Sequence, residues 1–561
     1  MDGRRVTIAA RTRNAAIACG AALALAVVMT WPLARGLDRL GRTATMDGLY
    51  SIWNVAWVAH ALASHPFDLY NANIFYPHRD ALAYSESNIV AGVVAIPAWL
   101  ATRNAYAAHN TALLFAFASS LLGTWLLARR LTGNAAASVA PAVMFAFCPY
   151  FFSHSAHIQL LMAGGIPLSM LALHRLVDDP SPGRAVALGG ALAAQALACA
   201  YYGIFAGLMV GYAVLFLAVS RGLWRAPRFW IAVGSAAIAA GAIVIPFFLP
   251  YLELQRSSGF GRLLDEARRY SATWPSYLAS PAHAHRPFLA WARSSGWHVG
   301  EVLFPGMLAI VLGVAGAVSG LTTGRAASAT PAPRDRETVF LYGSLAALAF
   351  WASFGPAAGL YSLLYRAVPL FTFLRAPSRF GLIAAFVLAL FSAIALSRLA
   401  VFRGRFAAAA AVAIVVLTLA ELNVAPFPWE RALPVSQNYA VLAGMPRGVL
   451  AEFPFYGERV AYPLHAQYMV LSTTHWMPLV NGYSDHIPAD FRQAASVLDS
   501  FPSTDTFAVL EKRRVRYIGV HWDMYGPRAA EVRARLASFS QYLRPLGSDA
   551  QMALYEIVSF P

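Results

Sequence analysis

The sequence predicts an α-helical polytopic membrane protein of about eleven transmembrane helices, followed by a small C-terminal α/β domain on the extracytoplasmic side. Three observations predict it. Of 561 residues, 58% are hydrophobic and only 12% charged, whereas an ordinary soluble domain carries about 25% charge. Apolar runs long enough to cross a hydrocarbon core of about 30 Å recur along the chain. Arginine clusters then fall between alternate runs, as the positive-inside rule requires.

The first run, 15–34, has no charge between Arg13 and Arg35. It is longer than a signal peptide's apolar region and lacks a small-x-small cleavage site, so it reads as a retained span. Arg4, Arg5, Arg11 and Arg13 before it place the N-terminus in the cytoplasm. Further spans are expected near 106–128, 135–152, 160–176, 185–200, 203–220, 229–250, 302–321, 338–355, 378–398 and 406–424. The cytoplasmic clusters that fix this register are Arg129/Arg130, Arg175/Arg184, Arg221/Arg225/Arg228, Arg325/Arg334/Arg336 and Arg398/Arg403/Arg405. The run 89–101 is short and contains Pro97; a crossing there would invert every later loop, so it reads as interfacial or re-entrant.

This parity leaves 35–105, 251–300, the turns around 153–159 and 356–377, and everything from 425 outside. The Ala/Thr/Pro-rich stretch 322–333 reads as a cytoplasmic linker. The chain divides into a membrane module, 1–424, and an extracytoplasmic domain, 425–561. In the latter, Val449-Leu-Ala-Glu-Phe and Val515-Arg-Tyr-Ile-Gly-Val read as strands and 489–510 as helical. The expected location is a bacterial cytoplasmic membrane.

The net charge of +16 lies in short clusters between apolar runs, so it sets topology and does not mark a nucleic-acid partner. Cys19, Cys148 and Cys199 belong to apolar segments and give no disulfide framework. Walker A, GxSxG, HExxH and CxxC patterns are absent, which argues against bound ATP as an energy source.

Candidate chemistry concentrates in the exterior segments. Asp47 stands before a helix on which Trp53 and Trp57, spaced i, i+4, share one face suited to the membrane surface. It has two readings, an N-cap and a general base that takes a proton from an incoming hydroxyl. His154, His157 and Gln159 cluster between two apolar spans and hint at a water-filled cavity; exposed interfacial histidines explain them as well. Loop 251–300 carries Glu253, Arg256, Arg262, Arg268, Arg269, His283, His285 and Arg286, which an anionic substrate would explain. Arg375 and Arg379, at the mouth of a span, either hold a phosphate or snorkel to lipid head groups. Tyr201 and Tyr202 occupy an exterior turn and either line a cavity or sit at the interface. In the tail, the run from His475 to Asp485 suits sugar or head-group contact, or a packing loop.

Asp47 with the Trp-rich helix, Asn73-Ile74-Phe75-Tyr76-Pro77, His157-Ile158-Gln159, Leu303-Phe304-Pro305-Gly306 and Arg375-Ala376-Pro377-Ser378-Arg379 extend over most of the chain. Together they make it resemble the GT-C superfamily of lipid-linked-sugar glycosyltransferases, especially bacterial YfhO-like members. The resemblance implies transfer of a sugar from a polyprenyl-phosphate donor to a glycan or lipid acceptor outside the cytoplasm, with inversion, at a site in contact with membrane lipids. It implies Asp47 as catalytic base. Arg256, Arg375, Arg379, His154, His157, Gln159, Tyr201 and Tyr202 are the candidates for the donor and its phosphate. Some members bind a divalent cation, Mg or Mn; Asp47, His157 and Glu301 would be the candidates here, although the acidic pair expected in the second loop is missing. The competing readings are a lipid-linked-saccharide transporter or flippase, for which two related halves with broken helices are expected and not seen, and a non-enzymatic envelope assembly protein.

Overall fold

The computed structural model describes residues 2–259, 261–294, 301–322 and 335–561. Arg325, Arg334 and nearly all of the expected linker 322–333 lie outside the described residues, as does Gly300. Among the described residues, six helical segments are long and apolar enough to cross a membrane: Thr12–Met29, Ala105–Thr132, Ile158–Asp178, Ala200–Ser220, Pro227–Ser258 and Pro377–Arg398. Four shorter apolar helical segments among the described residues accompany them, Ile89–Thr102, Val139–Ser153, Met307–Thr322 and Ala407–Leu422. The protein is a multi-pass membrane protein.

Helix occurs at every expected span, with breaks in two of them. The expected span 135–152 splits into Val139–Ala146 and Pro149–Ser153. Cys148 is extended there (φ −62°, ψ 151°), because a residue before proline is pushed out of the α region. The segment 160–176 is likewise divided into Ile158–Leu161 and Gly165–Asp178.

Packing divides the chain into two compact units. The first comprises Met1–Ala34, Leu113–Leu249 and Gly261–Phe427. In it Met307–Thr322 packs closely against Gly381–Arg398. A Cβ on Gly316 would stand 1.8 Å from the Phe391 carbonyl oxygen, so only glycine allows the two backbones to approach this closely.

The second unit comprises Arg35–Ala112, Pro250–Phe260 and Pro428–Pro561. Its centre is the helix Met46–Ser64, packed against Ile89–Thr102 and against Ala466–Leu471. Trp53 and Trp57 are buried in protein and do not lie along a membrane surface. Their indole N–H groups donate to Asn73 Oδ1 at 3.2 Å and to the Leu69 carbonyl at 2.8 Å.

The C-terminal segment carries a four-stranded sheet of β1 (Val449–Phe453), β2 (Val515–His521), β3 (Leu543–Ser548) and β4 (Met552–Ile557). The order is β1-β2-β4-β3; β1 runs parallel to β2 and the other two pairings are antiparallel. The helical stretch expected over 489–510 is two helices, Ala489–Leu498 and Thr504–Lys512. Pro502 lies between them, and Ser503 caps the second in a reciprocal box with Thr506.

Candidate functional site

In the second unit, Thr45 and not Asp47 is the N-cap of Met46–Ser64. Its Oγ1 accepts from the Gly48 N–H at 3.2 Å. Asp47 is exposed in the first turn, so the capping reading falls away and its carboxylate is left for other partners. Asp47 Oδ1 accepts from the Tyr483 hydroxyl at 3.0 Å. The Tyr483 ring lies edge-on to Tyr50, with centroids 6.0 Å apart.

Around these rings runs a web of short bonds. The Asn54 amide donates to the Tyr50 hydroxyl at 3.4 Å, and Asn54 Oδ1 accepts from Asn88 at 3.0 Å. Ser85 donates to Asp485 at 2.8 Å, while Tyr251 donates to the Ser85 carbonyl at 2.8 Å. Burial pushes the Tyr50 phenol up to about 12, with the charge of Asp485 adding to the effect. Tyr50 therefore stays protonated and able to donate at neutral pH. Arg256 belongs to the same unit; it is exposed in the last turn of Pro227–Ser258.

In the first unit, a second group forms around Tyr201, in the opening turn of Ala200–Ser220. The Arg379 guanidinium lies 4.2 Å from the Tyr201 ring centroid, and the Arg375 backbone N–H donates to the Tyr201 hydroxyl at 2.7 Å. The Arg375 side chain rests 5.3 Å from the Tyr270 ring centroid. Tyr202 donates to the Leu160 carbonyl at 3.0 Å and meets the Tyr150 hydroxyl at 3.2 Å. His154 stacks on Tyr150 at 4.2 Å. Its Nδ1–H donates to the Tyr150 carbonyl at 2.8 Å, which turns Nε2 toward Glu301, 3.6 Å away. The result is two planar cations held on aromatic faces beside a His–Glu pair, an arrangement suited to phosphate oxygens.

His157 precedes the short helix Ile158–Leu161, its ring 6.4 Å from that of His154. Gln159 is half-buried beside it. Among the described residues, no group of three or more His, Cys, Asp or Glu side chains is arranged to hold a metal ion. Neither Asp47 in the second unit nor His157 and Glu301 in the first belongs to such a group.

Much of the charge in loop 251–300 is committed to protein partners. Arg262 pairs with Glu266 at 3.1 Å and Arg268 with Asp265 at 3.3 Å. His285 bridges Ser280 (2.7 Å) and Glu421 (3.1 Å), and His283 donates to the Ala425 carbonyl at 3.0 Å. The tail run is chiefly a packing loop within the second unit. Trp476 stacks on His60 at 4.6 Å, and His475 on Tyr439 at 5.3 Å. Tyr483 is the member that reaches a candidate catalytic group. Tyr50, Tyr483 and Asp485 fall within runs that the sequence brings forward but carry no local mark of their own, and nothing in the sequence points to Tyr270 or Ser85.

The architecture, a set of apolar helices with a small C-terminal sheet, has counterparts among solved structures. The mycobacterial arabinofuranosyltransferase AftD shares the fold, with a TM-score of 0.55 at 14% identity over 98% of this chain and 42% of that one. The chain thus spans less than half of AftD. The apo oligosaccharyltransferase of Archaeoglobus fulgidus aligns with a TM-score of 0.44, 15% identity, and coverage of 94% of this chain and 72% of that one. For ArnT of Cupriavidus metallidurans the TM-score is 0.40 at 16% identity, with 98% of each chain covered. No protein-family model and no curated protein matches the sequence.

Proposed function

We propose that the protein is an inverting glycosyltransferase that moves a sugar from a polyprenyl-phosphate-linked donor to an acceptor hydroxyl outside the cytoplasm. The observation that carries this reading is Asp47: an exposed carboxylate in the first turn of a buried helix, relieved of capping by Thr45 and held by a tyrosine hydroxyl. The GT-C fold supports it.

In the reaction the acceptor oxygen attacks the anomeric carbon while its proton passes to Asp47. The bond between that carbon and the phosphate oxygen breaks, and the polyprenyl phosphate leaves with the electron pair. Arg375 and Arg379 stabilise the charge on such a phosphate; on their aromatic supports they are set before the donor arrives. His154, Tyr201 and Tyr202 shape the same group, and Arg256 is an exposed cation for the donor's approach.

The test is transfer of radiolabelled sugar from polyprenyl-phosphate donors by membranes containing wild-type or Asp47→Asn protein at matched expression. Transfer by wild type that collapses in the variant supports the reading. Equal transfer by both proteins removes Asp47 from it.

A further inference from the structure

The C-terminal sheet carries a second concentration of polar groups that the proposed transfer does not use. Glu452 in β1 is fully buried. Its Oε1 accepts from the Tyr439 hydroxyl at 2.9 Å, and its Oε2 lies 2.9 Å from His521 Nε2. Asn481 clamps the backbone of Glu452 from both sides, at 2.8 and 2.9 Å. The adjacent strand makes room for the carboxylate: Gly519 is the register partner of Glu452, and a Cβ there would stand 2.0 Å from Oε2. An uncompensated buried carboxylate is strongly destabilising. This one is fully bonded, and the sheet forgoes a side chain to hold it.

A cavity of about 140 Å³ opens beside the pair. Its polar lining is Ser436, Tyr439, Gln467, His521, Asp523 and Gln551. His521 spends Nε2 on Glu452. Asp523 spends Oδ1 on the Met524 N–H at 2.9 Å, which leaves its second oxygen for a ligand. Among the described residues no lysine or arginine lines the cavity, and two carboxylates lie in or behind its wall. Anions are therefore disfavoured, and a ligand rich in hydroxyl donors is favoured. The two glutamine amides add donors and acceptors at once, while aliphatic neighbours such as Leu471 offer an apolar wall. The volume is close to that of a cavity of about 150 Å³ that holds a benzene molecule, room for a single small ring. Glu452, His521 and Asp523 do not form a metal-holding group.

We propose that this cavity binds one ring of a neutral saccharide through its hydroxyl groups, with Asp523 and Gln467 as the principal contacts and His521, fixed by Glu452, at the floor.

The experiment is saturation-transfer NMR on the full-length protein in detergent. The probes are the methyl glycosides of glucose, galactose, mannose and arabinose, with ethylammonium as the amine control. Binding is read without turnover, so the result is independent of the transfer chemistry. Saturation of ring protons of at least one glycoside, weakened at least about tenfold by Asp523→Asn, is expected from loss of a charged hydrogen-bond acceptor. Gln467→Ala should weaken the same signal and leave thermal unfolding unchanged. Saturation of no glycoside, of ethylammonium alone, or to the same extent in the Asp523→Asn/Gln467→Ala double variant overturns the proposal.

Discussion

The Tyr483 hydroxyl donates to the Asp47 carboxylate at 3.0 Å, joining residues 436 positions apart. A carboxylate that acts as a base must point one oxygen at its substrate, and a fixed donor on the other restricts its rotation. Asp47→Asn should lower kcat at least about 100-fold, the weight of a general base. Because the side chain is exposed, the thermal unfolding midpoint should not move. Tyr483→Phe should lower kcat about tenfold, the equivalent of ~1.4 kcal/mol for one lost bond to a charged group. Steady-state transfer assays on both variants check this; full activity in Tyr483→Phe would show that the bond does not position the base.

Arg379 rests on the Tyr201 ring at 4.2 Å. Lysine keeps the charge and loses the planar face that stacks and forks. Arg379→Lys should raise the donor KM about tenfold, in line with ~1–2 kcal/mol of stacking and bidentate contact. Titration of the donor at fixed acceptor measures it, and an unchanged KM would remove Arg379 from donor binding.

Gly316 faces the Phe391 carbonyl so closely that a methyl group would overlap it. Gly316→Ala should destabilise the helix pair by about 1–3 kcal/mol, the usual cost of overpacking. Thermal unfolding in detergent reads it. Gly207, which has open space around its hypothetical Cβ, should accept alanine without loss.

Burial lowers His60 and His475 to about 4 and His465 to about 3. An unfolded histidine titrates near 6.5, so the unfolded chain takes up protons first as the pH falls. Stability from these neutral histidines is full above about 6.5 and is lost progressively toward 4. The unfolding midpoint should therefore drop between pH 7 and pH 4.5, above the range where most carboxylates titrate. His465→Gln should flatten that slope; an unchanged slope would mean that His465 does not titrate on unfolding.

The helical body was legible because a span is a local property: about twenty apolar residues declare it. Its breaks were less so, since the effect of Pro149 on Cys148 is felt over two residues within an unbroken apolar run. The spacing of Trp53 and Trp57 announced one face of a helix but not what covers it, and protein covers it. Strands β3 and β4 escaped notice because Pro545 and Gly547 interrupt the first, and a proline demotes a run when read alone; β3 is in fact an edge strand, where proline is tolerated. The bond between Tyr483 and Asp47 had no local signature, because its halves lie at opposite ends of the chain.

That distance shapes how the protein is made. Asn73 receives the Trp53 indole N–H, and its own amide donates to Ser472, 399 residues later, and to the Met477 carbonyl. A ribosome has therefore synthesised most of the protein before Asn73 meets these partners. Through that interval two large indoles and the segment around Asn73 wait half-enclosed, a standing invitation to chaperones and proteases. Premature termination anywhere before residue 428 strands them for good, so truncated chains should be cleared from the membrane even when all the helices preceding the tail have been made.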